Sequence, residues 1–411
     1  MVSAQAFSHL TFKGNLQNTR YGWLRLTPAH SLTCITNILD KHTALEETVL
    51  DPFCGTGTTA LVCAERGISC TTLDINPFLL WLTTVKTQKY TDQDLTDFRD
   101  SATQILEILA IPATNLDEFW TPPLHQIEKW WSSDILVDLA RIMDTITKLQ
   151  LQVSINTINL LKIVFCQTII TTSNASFAHQ SMSFKKSESY TPTFDSMQIT
   201  VRERWAEIFN KIYTSAISSI YSLPTVVQGD ARNMSNVLPE NYFTTVITSP
   251  PYPNRMSYIR ELRPYMYWLG FLQSGRDAGE LDWEAIGGTW GCATSNLSRW
   301  KYSGDFSIPY KGFNLILEEI ACHSMILSRY IEKYFYDMVQ HCQELFKVVR
   351  PGGNIAYIVG NSKFYDTLLP VESIFGSIFE AVGFTNVTIS IIRKRSSKKE
   401  LLEFIVSARK P

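Results

Sequence analysis

The chain has 411 residues, 45% hydrophobic and 18% charged, with 37 Lys and Arg against 39 Asp and Glu for a formal net charge of −2. That much apolar material excludes a disordered chain, and the composition excludes a collagen-like or coiled-coil rod. The length allows two or three domain-sized units or one large α/β domain with insertions, and the charge balance lacks the basic excess of many nucleic-acid binders.

The first 20 residues hold no apolar core of signal-peptide length. The most apolar stretch, 155–170, is interrupted by Asn156, Thr157, Asn159, Lys162, Gln167 and Thr168, which predicts a buried or amphipathic helix and not a membrane span. The 8 cysteines are scattered, with no C-x-x-C pair and no zinc-site spacing. Reduced thiols, no metal and a cytoplasmic protein are the expectation.

In chain order, a polar start leads to a short helix over 31–39. Residues 48–50 form a short apolar run, followed by the turn 51–57 and a helix over 58–66 that Gly67 can cap. A second strand over 69–73 ends at Asp74, and Pro77 suits the first turn of the next helix, to about Lys86. This strand–loop–helix–strand–helix unit opens a doubly wound, Rossmann-like α/β sheet. From 91 to 222 the pattern is mostly helical, broken by a polar piece over 173–196, and predicts a large helical insertion. Strands resume at 225–228 and 243–248, the second running into Ser249-Pro-Pro-Tyr252. An aromatic helix follows over 257–271, and then a Gly/Ser/Trp-rich stretch, 273–312, that reads as a long loop insertion. One helix over 315–349, a turn over 350–353, a strand over 354–359, a helix over 370–382 and two closing strands, 384–393 and 403–408, complete the chain. The division is thus 1–90 and 223–411 for the two parts of one α/β domain, with 91–222 between them.

Two segments carry chemistry. Gly55-x-Gly57-x-x-Ala60 follows a strand and opens a helix, and Asp74 closes the next strand, which nearly matches a dinucleotide fingerprint. Glycines admit a ligand close to the backbone, and the carboxylate takes ribose hydroxyls. S-adenosylmethionine (SAM) and NAD share that adenosine, so the loop alone does not choose between them. The acidic start, Asp51-Pro-Phe53, favours the cationic amino-acid part of SAM over a pyrophosphate. Ser249-Pro250-Pro251-Tyr252 lies at the carboxyl end of a strand, where open α/β sheets place their sites. An exocyclic amine is a poor nucleophile, because its lone pair is delocalised into the base. The Ser249 hydroxyl and Pro250 carbonyl can accept the two amino hydrogens and localise that pair. The prolines fix φ and hold the carbonyl outward, and Tyr252 offers a ring on which a flipped base can stack. A plain proline turn is the alternative.

These motifs, in this order, resemble the SAM-dependent amino-methyltransferases of DNA, which methylate N4 of cytosine or N6 of adenine. Residues 51–59, DPFCGTGTT, are similar to the family's SAM loop and 249–252, SPPY, to its catalytic turn, with the serine typical of the N4-cytosine branch. The resemblance implies a class I methyltransferase fold and SAM as cofactor. It implies cofactor contacts at Thr27, Pro28, Asp51, Phe53, Gly55, Gly57, Thr58, Asp74, Ile75, Asp230 and Ala231, and catalysis at Ser249, Pro250, Pro251 and Tyr252. It also implies double-stranded DNA with a flipped base as partner, with no membrane, and a restriction-modification or related bacterial setting; whether a companion restriction enzyme exists and the oligomeric state stay open. Arg255, Arg260 and Arg263 follow the catalytic turn and are candidate phosphate contacts; a surface pairing with Glu261 and an aromatic core face compete. The basic run 393–399 is a further candidate, against a solvated hairpin tip. An N6-adenine enzyme, an RNA guanine-N2 methyltransferase, an NAD-dependent oxidoreductase and a non-catalytic scaffold remain the other readings. With a total charge of −2, a DNA reading requires positive charge to gather on the face carrying Ser249.

Overall fold

The computed structural model describes residues 19–24, 31–42, 47–113, 115–176, 183–184, 199–254, 257–288, 292–301, 307–395 and 400–411. The elements run α1 (Leu32–His42), β1 (Thr48–Asp51), α2 (Thr58–Arg66), β2 (Ser69–Asp74), α3 (Pro77–Thr87), α4 (Asp92–Leu109), α5 (Ile127–Trp130), α6 (Ser133–Leu149), α7 (Ile155–Thr171), β3 (Ala175–Ser176), β4 (Ser183–Phe184), α8 (Val201–Ala216), β5 (Thr225–Gln228) and β6 (Phe243–Thr248). They continue α9 (Tyr258–Trp268), α10 (Gly275–Glu284), α11 (Cys292–Arg299), α12 (Phe313–Ala321), α13 (Met325–Val348), β7 (Val349–Gly360), β8 (Ser362–Phe364), β9 (Thr367–Leu369), α14 (Val371–Val382), β10 (Thr385–Lys394) and β11 (Leu402–Arg409). No helix among the described residues is long and apolar enough to cross a membrane.

Seven strands form one sheet in the order β10-β11-β7-β6-β1-β2-β5. The run β7-β6-β1-β2-β5 is parallel, and β11 is antiparallel to both neighbours. This is the class I methyltransferase arrangement, as the motif order predicts. The chain leaves β1 for β2 on one side and later returns to β6 on the other, so the switch point of the sheet lies at β1 and β6.

The central strands are covered on both faces, and their sequences show it. All six residues of β6 are buried. Alternation sends Val49, Ile247, Ala356 and Ile358 into a core with α1 and α2. Leu50, Val246, Ile355 and Tyr357 go into a second core with α13 and α14. A third core joins Phe78 of α3, Phe98 of α4, Leu139 of α6, Phe165 of α7, Trp205 of α8 and Trp268 of α9. The 91–222 helices therefore share their interior with α3 and α9.

Three elements differ from expectation. The stretch 273–312, expected as a loop, contains α10 and α11. Ser274 caps α10 through a reciprocal box with Asp277. The helix expected over 315–349 is two helices, because Ser324 leaves helical geometry and its side chain caps α13 by accepting from Leu327 N. The turn 350–353 lies inside β7 as a register irregularity, pairing passing from Phe243–Val349 to Thr245–Asn354.

Candidate active site

A cleft enclosing about 950 Å³ opens at the carboxyl ends of β1, β2, β5 and β6. Pro52, Phe53, Gly55 and Thr56 supply one side, Leu73, Asp74, Ile75, Asn76 and Leu79 the next, Gly229, Asp230 and Ala231 the third. Ser249, Pro250, Pro251, Tyr258 and Ile259 border it together with Glu284, Ala285 and Ile286. The glycine loop and the catalytic turn, far apart in sequence, thus meet in one cavity.

The loop's two glycines do different work. Gly55 takes a left-handed φ of +52°, and a Cβ there would meet nothing nearer than 3.8 Å. Gly57, at φ +74°, has no room: a Cβ would lie 2.5 Å from Thr83 Oγ1 of α3. Gly57 thus allows α2 and α3 to pack, whereas Gly55 lines the cleft. Beneath the loop the fully buried Lys86 donates from Nζ to the Thr56 carbonyl at 3.0 Å. Burial lowers the Lys86 pKa to about 7, and a neutral amine still donates that bond.

Asp74 accepts from Gly55 N through Oδ2 at 3.1 Å and from Asn76 N through Oδ1 at 2.9 Å. Each oxygen keeps a lone pair for a further donor, which fits a ribose diol. Burial raises this carboxyl to about 6, with the backbone bonds opposing it. The neighbouring surfaces of Phe53, Leu73, Ile75, Leu79 and Ala231 are apolar and suit a flat base. Behind them, His341 donates from Nδ1 to the Ala231 carbonyl at 3.1 Å and meets Phe53 edge-on, ring centroids 4.7 Å apart. These residues fit SAM's adenosine.

Asp51 is placed differently from expectation. It is fully buried, does not line the cleft, and accepts from Thr248 Oγ1 at 2.6 Å and Phe53 N at 3.2 Å, both on Oδ1. It ties the end of β1 to the end of β6, the two strands that carry the motifs. Burial raises its pKa to about 7, and its Oδ2 has no hydrogen-bond partner among the described residues.

Asp230 lines the cleft but is bound by Arg232, whose Nη2 lies 2.7 Å from Oδ2. Burial pushes this carboxyl up, yet the bonds from Arg232 more than offset it and hold it below the usual range.

The catalytic turn is tethered at nearly every polar group. Ser249 Oγ donates to the Ile358 carbonyl of β7 at 3.0 Å. The Pro251 carbonyl accepts from Tyr334 OH at 2.8 Å, and Tyr252 N–H donates to Tyr258 OH at 3.2 Å. The Pro250 carbonyl receives no donor among the described residues. With its proton committed to Ile358, Ser249 Oγ presents lone pairs only. Two acceptors therefore border the cleft side by side in the chain.

Tyr252 departs from its expected role as a stacking face. Its ring is 4% exposed and outside the cleft lining. The hydroxyl donates to Glu403 Oε1 at 3.2 Å, and the Arg395 guanidinium lies 5.0 Å from the ring centroid. Beside Ser249 and the two prolines, the ring that lines the cleft is Tyr258, with Phe53 on the glycine-loop side. Thr58 is buried at the head of α2. Thr27, Pro28 and Arg255, like 396–399 of the basic run, lie outside the described residues. Arg260 is exposed on α9, and the Arg263 guanidinium sits 5.9 Å from the Trp130 ring centroid; neither lines the cleft. Sequence reasoning missed Asn76, Leu79, Tyr258 and the 284–286 wall. Only Asn76 carried a local signal, as the cap before Pro77.

The chain is 22% identical over 440 residues to the Type II methyltransferase M.BsoBI of Geobacillus stearothermophilus, covering 94% of this chain and 82% of that one. It is 21% identical over 413 residues to the Type II methyltransferase M.AvaI of Nostoc sp. strain PCC 7120, covering 93% and 83%. No protein-family model matches. Among solved structures, a Thermus thermophilus protein named as a DNA modification methylase, in complex with S-adenosyl-L-methionine, overlaps with a TM-score of 0.24 and 18% identity. That overlap covers 44% of this chain and 51% of the other. The sheet order, the two motifs facing one cleft and similarity along nearly the whole chain to Type II methyltransferases agree with the resemblance to the SAM-dependent amino-methyltransferases of DNA.

Proposed function

We propose that the protein methylates the exocyclic N4 amine of a cytosine flipped out of double-stranded DNA, with SAM as the methyl donor. The observation that carries this reading is the pair of acceptors at the cleft: Ser249 Oγ, its proton given to Ile358, and the Pro250 carbonyl, which has no donor among the described residues. An amine that donates both hydrogens to such a pair localises its lone pair outward. SAM supplies the electrophilic methyl when bound. The protein's work is to hold, orient and exclude water, and no covalent nucleophile is required. Asp74 holds the ribose, and the apolar surface from Phe53 to Ala231 holds the adenine. Tyr258, which borders the cleft together with Ser249 and Pro250, takes the stacking role expected of Tyr252. Arg260, exposed near the start of α9, is a phosphate contact for the flipped strand.

The serine at the head of the turn favours cytosine N4 over adenine N6, following the motif resemblance. The relatives named as Type II methyltransferases support a DNA substrate and a restriction-modification setting. The test is transfer of a labelled methyl group from SAM to duplex DNA by the wild-type protein and by Ser249→Ala. Transfer by the wild type with SAM binding retained but turnover lost in the variant is expected. No transfer by the wild type, or equal transfer by both, contradicts the reading.

A further inference from the structure

One face of α13 runs behind several parts of the cleft. Tyr330, Tyr334, Asp337 and His341 recur at spacings of four, three and four, so they project from one side of the helix. Tyr330 OH donates to the Gly287 carbonyl at 3.3 Å, behind the 284–286 wall. Tyr334 OH holds the Pro251 carbonyl. His341 meets the Ala231 carbonyl on the cofactor side. Between them, Asp337 accepts from Arg232 Nη1 at 3.1 Å and from Lys333 Nζ at 2.6 Å.

Arg232 is where these contacts converge. Its Nη2 donates both to Asp230 Oδ2 at 2.7 Å and to the Glu284 carbonyl at 2.6 Å. Its Nε lies 3.0 Å from each Asp230 oxygen. Glu284 ends α10, and its neighbour Trp283 lies under Lys333 Nζ, 4.8 Å from the ring centroid. One guanidinium therefore bridges Asp230 at the cleft, the face of α13 and the backbone of the 284–286 wall, whose neighbour Gly287 lies against Pro251. A planar fork with five donors suits this junction, and a lysine cannot reproduce it.

We propose that Arg232 is a positioning residue that fixes the 284–286 wall to Asp230, so that filling the cofactor pocket sets the surface against which the target base docks. This rests on the reading of the cleft as a SAM and base site. Arg232 touches neither reactant; it acts through Asp230 and Glu284. Loading the pocket pins Asp230, Asp230 orients the fork, and the fork holds the Glu284 carbonyl in place.

The test uses the full-length protein, with hydrogen exchange over 275–288 measured with and without SAM, calorimetric SAM affinity, and steady-state kinetics on duplex DNA. In the wild type, SAM slows exchange at 284–288. In Arg232→Gln that protection is lost and SAM binds about tenfold more weakly. The KM for DNA rises severalfold at saturating SAM, while exchange in α4 and α7 stays as in the wild type. A purely structural role would instead raise exchange throughout and leave the SAM-dependent difference intact. Asp337→Asn, which retains the Asp230–Arg232 pair, moves the same readouts by less and decides the matter if Arg232→Gln does not fold. Wild-type protection and an unchanged DNA KM in these variants overturn the proposal. SAM binding by the wild type without protection at 284–288 overturns it too. No SAM binding by the wild type instead overturns the reading of the cleft.

Discussion

The two long excursions from the sheet, 91–222 and 273–312, are built on opposite terms. The first is the larger, yet none of its described residues lines the cleft. Its helices bury Phe98, Leu139, Phe165 and Trp205 against α3 and α9, and Phe165 meets Trp268 edge-on with ring centroids 5.3 Å apart. It is the bed on which α9, and hence the catalytic turn before it, rests. The second excursion is short, rich in glycine and serine, and places Glu284, Ala285 and Ile286 at the cleft. Ala278, Ile286 and Leu297 tie it into the cores, and polar staples fix it near the cleft: Arg232 to the Glu284 carbonyl, and Ser257 Oγ to Asp282 Oδ1 at 2.6 Å. Size and helical content therefore do not show which insertion faces substrate. What is added to the apolar burial does: the first supports α9 through its core, whereas the second also carries directional bonds, from Arg232 and Ser257, beside the cleft wall.

That contrast is most easily broken in the bed. Phe165→Ala is expected to cost about 3–5 kcal/mol of stability by denaturant unfolding, because a fully buried ring leaves a cavity. SAM affinity of the remaining folded protein is expected to change little. A loss of SAM affinity at unchanged stability would make the bed part of the site.

Ser249→Ala probes the opposite extreme. Turnover is expected to fall by about 10²–10³-fold, the scale for losing one group that stabilises a transition state. The unfolding midpoint and the SAM dissociation constant are expected to stay near wild type. A stability loss matching the activity loss would reduce Ser249 to a strand-end anchor.

Asp74→Asn is expected to weaken SAM binding by about tenfold or more, since a charge-assisted acceptor is lost. The pH dependence has a definite sign. Burial raises the Asp74 carboxyl to about 6, and ribose hydroxyls donate to its ionised form. Wild-type SAM affinity is therefore full above the folded pKa and falls as pH drops through about 6. Asp74→Asn should flatten that profile, as read by calorimetry on either side of that pKa.

The smallest effect is expected at Arg260, exposed on α9. Arg260→Ala should leave SAM affinity alone, raise the DNA KM modestly and reduce the salt slope of DNA binding by about one unit. An unchanged salt slope removes it from the DNA face.

Local signals made the centre of the fold legible. Residues 225–228 and 243–248 are strands with the predicted bounds, because an apolar run between turn residues leaves little choice. The helix 58–66 matches as well, ended by Gly67 at φ +71°. The 273–312 helices were hidden by composition, since glycine, serine and tryptophan masked the Ser274–Asp277 capping box. The positions of Gly55, Asp74, Ser249 and Pro250 at the cleft were legible because they depend on local backbone geometry. Tyr252 was not. Its burial depends on Glu403 and Arg395, which are distant in sequence, and Tyr258, on the next helix, takes the cleft position instead. Asp51 was misplaced for the same reason, because its partner, Thr248, comes from the neighbouring strand.

The role proposed for Ser249 and Pro250 is to present an amine-accepting pair to a flipped cytosine. Mass spectrometry of nucleosides from duplex DNA treated with the protein and SAM tests it most directly. N4-methylcytosine, absent when Ser249→Ala replaces the wild type, is the predicted result. N6-methyladenine alone, or no methylated base, would contradict it.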